Sequence, residues 1–422
     1  MLKLYPSVAD YLQAQRAAVT PEPQVAGRVA AILSEVQLKG DRAVKRFTER
    51  FDGVRVEVLR VPAQAIAEAT QRCEPEVKAL FQTAIDNVRT FHARQKLGSW
   101  FEDTGDGTSF GMQVTPIQNL GVYVPGGTAA YPSTVIMSVV PAQIAGVERI
   151  VLASPPDSSG QMNRFVLVAA GLLAVEELYV IGGAQAIAAL AFGTESVTAV
   201  DKIVGPGNSY VNEAKRQVFG VVGIDALAGP TELVILCDES ANPEWVARDL
   251  FAQAEHDAET RVSCVTTSED FAHRLQARVS EVLDGTQRRE ILEAAISNYG
   301  AVVVADNLQQ AAELVNRIAP EHLQIMTQAP RAVLNKIRNA GAIFLGEHTP
   351  AVLGDYCTGP NHILPTGRSA RFSSPLSVFD FVKFSSVLQC EPESFKQRAE
   401  MAAQFAQLEG LEGHKRSIEC RR

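Results

Sequence analysis

The chain has 422 residues, 46% of them apolar and 21% charged, and a formal net charge of −9. That length and apolar share provide a large core divided over at least two domains. The acidic balance and the lack of any long Lys/Arg block exclude a nucleic-acid or anionic-membrane surface, since either needs a basic patch, so small molecules are the expected partners.

The first residues, MLKLYPSVADYLQAQ, lack the apolar core of a secretory signal. The longest apolar run, 165–175, stops at Glu176 and Glu177, short of a bilayer span. Cys73, Cys237, Cys264, Cys357, Cys390 and Cys420 stand singly with no C-x-x-C pair, so neither a thiolate metal knuckle nor a disulfide scaffold is indicated. The reduced cytoplasm is the expected compartment.

From about 21 to 95, apolar residues recur at helical spacing: Val29, Ile32, Leu33 and Val36, then Leu80, Ile85, Val88 and Phe91. This predicts a helical arm over residues 1–118, packing with the second of two modules and ending in lead-in strands within SFGMQVTPIQNLGVYVP. The strands run up to the loop PGGTAAYPST. Short apolar runs (RIVLAS, ELYVIGG, ELVILCD) then alternate with helical segments, the mark of a parallel sheet. A second series, TRVSCVTTS, GAVVVAD, LQIMT and GAIFLG, is separated by helices around 271–282, 311–318 and 332–340. The expected fold is therefore α/β, with two tandem incomplete Rossmann-like parallel-sheet modules at 119–235 and 236–375, and no fixed-period repeat. The apolar segment SPLSVFDFVKFSSVLQC and a helix from Ser394 to near Gly410 follow, with a charged end, LEGLEGHKRSIECRR. This 376–422 tail suits packing on something else, or on another copy of the chain.

Three stretches are candidates for chemistry. Asn242-Pro243-Glu244 starts a helix well, with an N-cap followed by Pro. At its far end Gln253 and His256, three residues apart, share one face and could touch one small object; a capped, solvated helix end is the more ordinary explanation. Glu321 and His322 are adjacent in Pro-Glu-His-Leu, and in a loop both could reach one cavity as a proton-transfer pair. The polar loop GDYCTGPNH places Asp355 and His362 between apolar segments, which suits either a hard or borderline cation or a plain turn. His414 lies in the tail, while His92, His273 and His348 have no partner signal.

Three glycine-rich turns, at 123–131, 180–190 and 204–210, follow apolar strands. They could admit a pyrophosphate to a helix N-terminus, but none spells G-x-G-x-x-G. A dinucleotide, a phosphorylated metabolite and simple close packing all remain open on these turns alone.

In order, the segments GVYVPGGTAAYPSTVIMSVVPA, DKIVGPGNSYVNEAKRQV, AGPTELVIL, AQAEHD, APEHLQ, NAGAIFLGEHTPAVLGDYCTGPNHILPTGRSARFSSPLSVFDF and EGLEGHKRS resemble the histidinol dehydrogenase family over nearly the whole chain. The resemblance implies oxidation of L-histidinol to L-histidine with NAD, one Zn2+ per subunit, and a homodimer with tail exchange. It places the zinc ligands on Gln253, His256, Asp355 and His414, the last from the partner subunit. Proton transfer falls to Glu321 and His322. Substrate contacts are implied at Thr231, Gln253, His256, His322, Asp355, Glu409 and His414, with His362 close by, and nucleotide contacts at Tyr123, Gln185 and Asn208. Thr231 stands where the family usually has Ser, keeping the hydroxyl and adding a methyl. A Gln ligand is not one that any spacing rule selects.

The implied mechanism has zinc acting mainly as a template, His322 taking the alcohol proton, and Glu321 activating water for the aldehyde step. Two other readings stay open. In a thiol-dependent aldehyde dehydrogenase Cys357 would attack the carbonyl, and tandem α/β modules also build hinged binders without catalysis.

Overall fold

Apolar runs bounded by Gly and Pro turns become the strands of two parallel sheets, and the helices between them cover both faces of each. The computed structural model describes residues 2–15, 23–126, 131–283 and 286–422. The chain opens with strand β1 (Lys3–Tyr5) and helix α1 (Val8–Gln15), then runs through α2 (Pro23–Lys39), α3 (Asp41–Asp52), α4 (Ala63–Arg72) and α5 (Pro75–His92). The predicted stripe on α2 is buried, as are Ile85 and Val88 of α5; Leu80, five residues before Ile85 and so rotated off that face, stays exposed, as does Phe91.

After β2 (Trp100–Asp103) and β3 (Thr108–Pro116), the first module consists of β4 (Asn119–Tyr123), α6 (Pro132–Ala145), β5 (Arg149–Ser154), α7 (Arg164–Leu172), β6 (Glu177–Val180), α8 (Gly183–Phe192), β7 (Lys202–Val204), α9 (Ser209–Val218) and β8 (Gly223–Ile224). Its sheet order is β6-β5-β4-β7-β8, all parallel. This is the doubly wound order in which the chain runs outward from the central strand and then returns to its other side, leaving a crevice at the switch. One apolar layer on this sheet joins α2 and α3 to α8 and α9, and the layer on the other face joins α4 and α5 to α6 and α7. The arm thus packs on the first module, contrary to the expected packing with the second. The reason is that its buried stripes meet the Ala-rich face of α8 and the apolar faces of α6 and α7.

The second module contains β9 (Glu232–Cys237), α10 (Pro243–Ala254), β10 (Arg261–Thr266), α11 (Glu269–Leu283), α12 (Arg289–Tyr299), β11 (Ala301–Val304), α13 (Leu308–Ile318), β12 (His322–Met326), α14 (Pro330–Leu334), β13 (Ala342–Leu345) and α15 (Val352–Tyr356). The order β11-β10-β9-β12-β13 repeats that of the first sheet, with β1 added in parallel at the outer edge beside β11. Of the described arm, this N-terminal strand and the helix after it pack on the second sheet. The expected boundary at 235/236 falls inside β9, whose six residues are all buried between β10 and β12, so the second module starts before Thr231. Helix α12 is an addition to the expected elements, and the helix expected over 332–340 shortens to α14.

The segment read as an apolar run before the tail forms β14 (Val382–Cys390), antiparallel to β3 over nine pairs, with β2 on the far side of β3. Helices α16 (Pro392–Leu408) and α17 (Glu412–Glu419) finish the chain as a hairpin.

A buried ion pair fixes the turn after β7. Lys215 and Asp225 contact each other at 1% and 6% side-chain exposure. Asp225 Oδ2 accepts from Gly205 N–H at 2.8 Å and Lys215 Nζ donates to Gly205 C=O at 3.0 Å. Gly205 has φ +116°, and a Cβ there would lie 2.1 Å from the carbonyl oxygen of Tyr123, so glycine is required. Truncating one partner strands the other charge in the interior. Asp225→Ala should cost about 3–5 kcal/mol in denaturant unfolding, while Lys215→Met with Asp225→Leu should recover most of that loss.

Candidate active site

The site forms at the amino ends of β9 and β12, the two strands that flank the switch point of the second sheet. Chain direction explains why Gln253 arrives there: α10 runs antiparallel to β9, so its last turn returns to the amino end. Glu321, the residue before β12, is buried, and its Oε2 accepts from Thr231 Oγ1–H at 2.6 Å and from Glu232 N–H at 2.9 Å. Thr231 in turn accepts from Gln253 Nε2–H at 2.6 Å. Because the Thr231 proton goes to Glu321, its oxygen can only accept from the amide, which assigns Nε2 to that side and leaves Gln253 Oε1 as a free acceptor.

His322 Nδ1 lies 3.0 Å from the Glu232 carbonyl and 3.5 Å from Glu321 Oε2. A carbonyl cannot donate, so Nδ1 carries the proton and Nε2 is the exchangeable nitrogen. Nε2 lies 4.0 Å from Asp355 Oδ1, and the ring stacks near that of Phe344. Burial works against charge on His322, but the Glu321 carboxylate, with Asp355 and the Glu232 carbonyl, outweighs it and pulls the imidazole up to about 9. Glu321 stays below the usual glutamate range: burial opposes ionisation, and His322, Thr231 and Glu232 N–H overcome it. Glu232, buried and beside the Glu321 charge, is pushed up to about 7, and its Oε2 has no hydrogen-bond partner.

Asp355 sits in α15 at the start of the predicted polar loop. Burial raises its pKa, against the pull of His322, His362 and His256 around it. His362 returns to the same place, its Nδ1 2.9 Å from the Asp355 carbonyl, and burial lowers its pKa. The loop is fastened to the first module: Asn87 Nδ2 of α5 donates to Cys357 C=O and Asn361 Nδ2 donates to Met137 C=O of α6, both at 2.7 Å. A Cβ on Gly359 would come within 2.9 Å of the Asn87 carbonyl, and φ there is +106°. The Cys357 thiol itself has no hydrogen bond among the described residues.

Thr231, Gln253, His256, Glu321, His322, Asp355 and His362 therefore converge. Glu409 and His414 do not join them. They line a separate cavity of about 420 Å³ between α16 and α17 with Phe405, Ser417 and Ile418. Among the described residues no three His, Cys, Asp or Glu side chains form a metal cage within the chain. The expected zinc set contributes only His256 and Asp355 of those types from this part of the chain, with the Gln253 amide oxygen beside them. Carboxylate, imidazole and amide oxygen suit a borderline dication, and the set lacks one donor.

The predicted nucleotide residues meet at the carboxyl ends of the first sheet's strands. Tyr123, Gln185 and Asn208 line a cavity of about 350 Å³ with Phe51, Asp52, Gly126, Pro155, Gly183 and Tyr210. Tyr123 Oη accepts from Gly183 N–H at 3.1 Å, and Asn208 Oδ1 caps α9 by accepting from Tyr210 and Val211 N–H. Gln185 is 1% exposed, and neither of its amide atoms has a partner, which marks the cavity as built for a polar ligand. Residues 127–130 of the first glycine-rich turn lie outside the described residues.

Pattern reading missed Glu232 and Asp52. Glu232 opens an apolar run and its backbone holds both Glu321 and His322; Asp52 looks like an ordinary helix end. The balance at His322 predicts an NMR result in metal-free protein: the imidazole should titrate well above 7, and Glu321→Gln should lower that midpoint by removing the principal raising charge.

A family model described as histidinol dehydrogenase matches residues 15–422. The histidinol dehydrogenase of Bacillus subtilis (strain 168) is 50% identical over 393 residues, covering 93% of this chain and 92% of that protein. That of Pseudomonas savastanoi pv. phaseolicola (strain 1448A / Race 6) is 46% identical over 397 residues, covering 93% and 88%. The crystal structure of histidinol dehydrogenase from Elizabethkingia anophelis matches with a TM-score of 0.94 at 33% identity, covering 100% of this chain and 98% of that one. The chain belongs to the histidinol dehydrogenase family.

Proposed function

We propose that this protein oxidises L-histidinol through L-histidinaldehyde to L-histidine, using two NAD and one water, as a zinc-dependent homodimer in the cytoplasm. The observation that supports this reading most is the buried Glu321–His322 pair, whose tautomer is fixed and whose free Nε2 faces Asp355. No helix among the described residues is long and apolar enough to cross a membrane. Six free cysteines accord with a reducing compartment.

Gln253, His256 and Asp355, with His414 of a second copy, would hold the zinc. When bound, it would fix the substrate and offset charge developing on the substrate oxygen. Tyr123, Gln185 and Asn208 would hold NAD, which accepts a hydride in each oxidation. In the first oxidation His322 Nε2 takes the hydroxyl proton. Glu321, whose Oε2 is anchored, uses Oε1 to take a proton from the water that adds to the aldehyde carbon. As the hydrate forms, His322 returns its first proton to the former aldehyde oxygen, and it then takes a proton from the hydrate in the second oxidation. Pulled up to about 9 in the chain alone, His322 reaches its neutral, basic form only with positive charge nearby or at raised pH.

Two features support a second copy. The separation of Glu409 and His414 from the other site residues leaves the site incomplete in one chain. Large apolar side chains are also left exposed on both tail elements, Met401, Phe405 and Leu408 on α16 and Phe384 and Leu388 on β14.

The test is NADH formed per histidinol consumed in zinc-loaded protein: two supports the reading, and one contradicts the aldehyde step. Glu321→Gln should retain the alcohol oxidation and lose most of the aldehyde oxidation; equal loss in both would contradict the division of labour. Thr231→Ser should leave kcat/KM near that of the parent protein, because the hydroxyl between Gln253 and Glu321 survives. Thr231→Val removes the acceptor of the Gln253 amide and one of the two hydrogen bonds to Glu321 Oε2, and should lower kcat/KM on the order of 10- to 100-fold.

A further inference from the structure

The cavity lined by Tyr123, Gln185 and Asn208 contains one charged side chain that the reading above leaves without a task. Asp52 is the last residue of α3, outside the strand-and-helix module that forms the rest of the cavity. Its Oδ2 is buried without a hydrogen-bond partner. Burial pushes its carboxyl up to about 6; burial likewise raises the Tyr123 hydroxyl, and the Asp52 charge adds to that rise. Tyr210, which also lines the cavity, accepts from Arg28 of α2 at 3.1 Å. An unpartnered carboxylate oxygen facing a cavity wants donors that are neutral, because a second anion would be repelled at short range in a desolvated site. Phe51 lines the cavity beside it, so an aromatic face and an acceptor stand together, as a nucleoside's base and sugar require.

The layering of the fold says which nucleoside. Asp52 ends α3, which packs in the apolar layer of α2, α3, α8 and α9 on one face of the first sheet. The loop bearing Asp355 is fastened to α5 and α6, on the opposite face. A dinucleotide lying across the strand ends with its nicotinamide towards His322 therefore brings its adenosine to the Asp52 side.

We propose that Asp52 accepts the adenosine ribose hydroxyls of the bound dinucleotide and thereby excludes a 2′-phosphate, selecting NAD over NADP. The inference rests on the reading of this cavity as the dinucleotide site. It assigns the selecting carboxylate to the helical arm, where doubly wound dinucleotide folds ordinarily take it from a position about 20 residues past the glycine turn.

The test is direct binding of NADH and NADPH, by fluorescence titration, to the parent protein and to Asp52→Asn and Gln185→Ala, with thermal unfolding as a check on folding. The parent should bind NADH the more tightly. Asp52→Asn, isosteric and uncharged, should weaken NADH binding roughly 10- to 100-fold and strengthen NADPH binding, so that the preference collapses without loss of thermal stability. Unchanged preference in Asp52→Asn, with NADH binding weakened by Gln185→Ala, overturns this inference alone. No binding of either dinucleotide by the parent overturns it together with the reading of the cavity.

Discussion

One buried carboxylate organises the site. Moving a charge such as that of Glu321 out of water costs several kcal/mol unless donors replace the lost hydration. Here they are the Thr231 hydroxyl, the Glu232 amide and the His322 imidazole. Each of those partners is thereby fixed in turn. Thr231 orients the Gln253 amide, and the Glu232 backbone supplies an amide to Glu321 and a carbonyl to His322. The Glu321 charge also sets the protonation of its neighbours, holding a proton on His322 and driving Glu232 towards neutrality. Burial alone would push His322 the other way, and that anion is the largest of the groups that reverse it.

The parts of the fold that depend on local pattern were legible in the sequence. β9 is buried on both faces and reads as an unbroken apolar run, and α2 shows its stripe. What depends on distant pairing was not. β1 has three residues and no pattern of its own, and exists because β11 offers an unpaired edge. β14 reads as an apolar segment, and nothing local says that β3, more than 260 residues earlier, is its partner. The packing partner of the arm was misjudged for the same reason: a stripe says that a helix is buried, but not against what.

The site divides along the same line. Glu321 and His322 are adjacent, so they were visible as a pair, and the polar loop announced Asp355 and His362. Gln253 came from family resemblance, since an amide three residues before a histidine has no chemical signature. Glu232 and Asp52 gave no signal because their roles come from where the backbone carries them: one to the head of a central strand, the other to the wall of a cavity formed by a different module.

The two sheets share one strand order yet place their candidate crevices at opposite ends, and the helix termini that gather at each end set the sign of the local dipole field. In the first module the crevice lies at the carboxyl ends, where α8 and α9 begin and the positive ends of their dipoles gather. In the second it lies at the amino ends, where α10 finishes and its last carbonyls present partial negative charge beside Gln253 and His256. One half of the molecule is therefore polarised to receive an anion and the other to receive a cation. Reversing the use of a repeated fold thus sets helix amino ends at one crevice and a helix carboxyl end at the other, a difference laid down by the backbone before side chains such as Asp52 and Asp355 add their own charge.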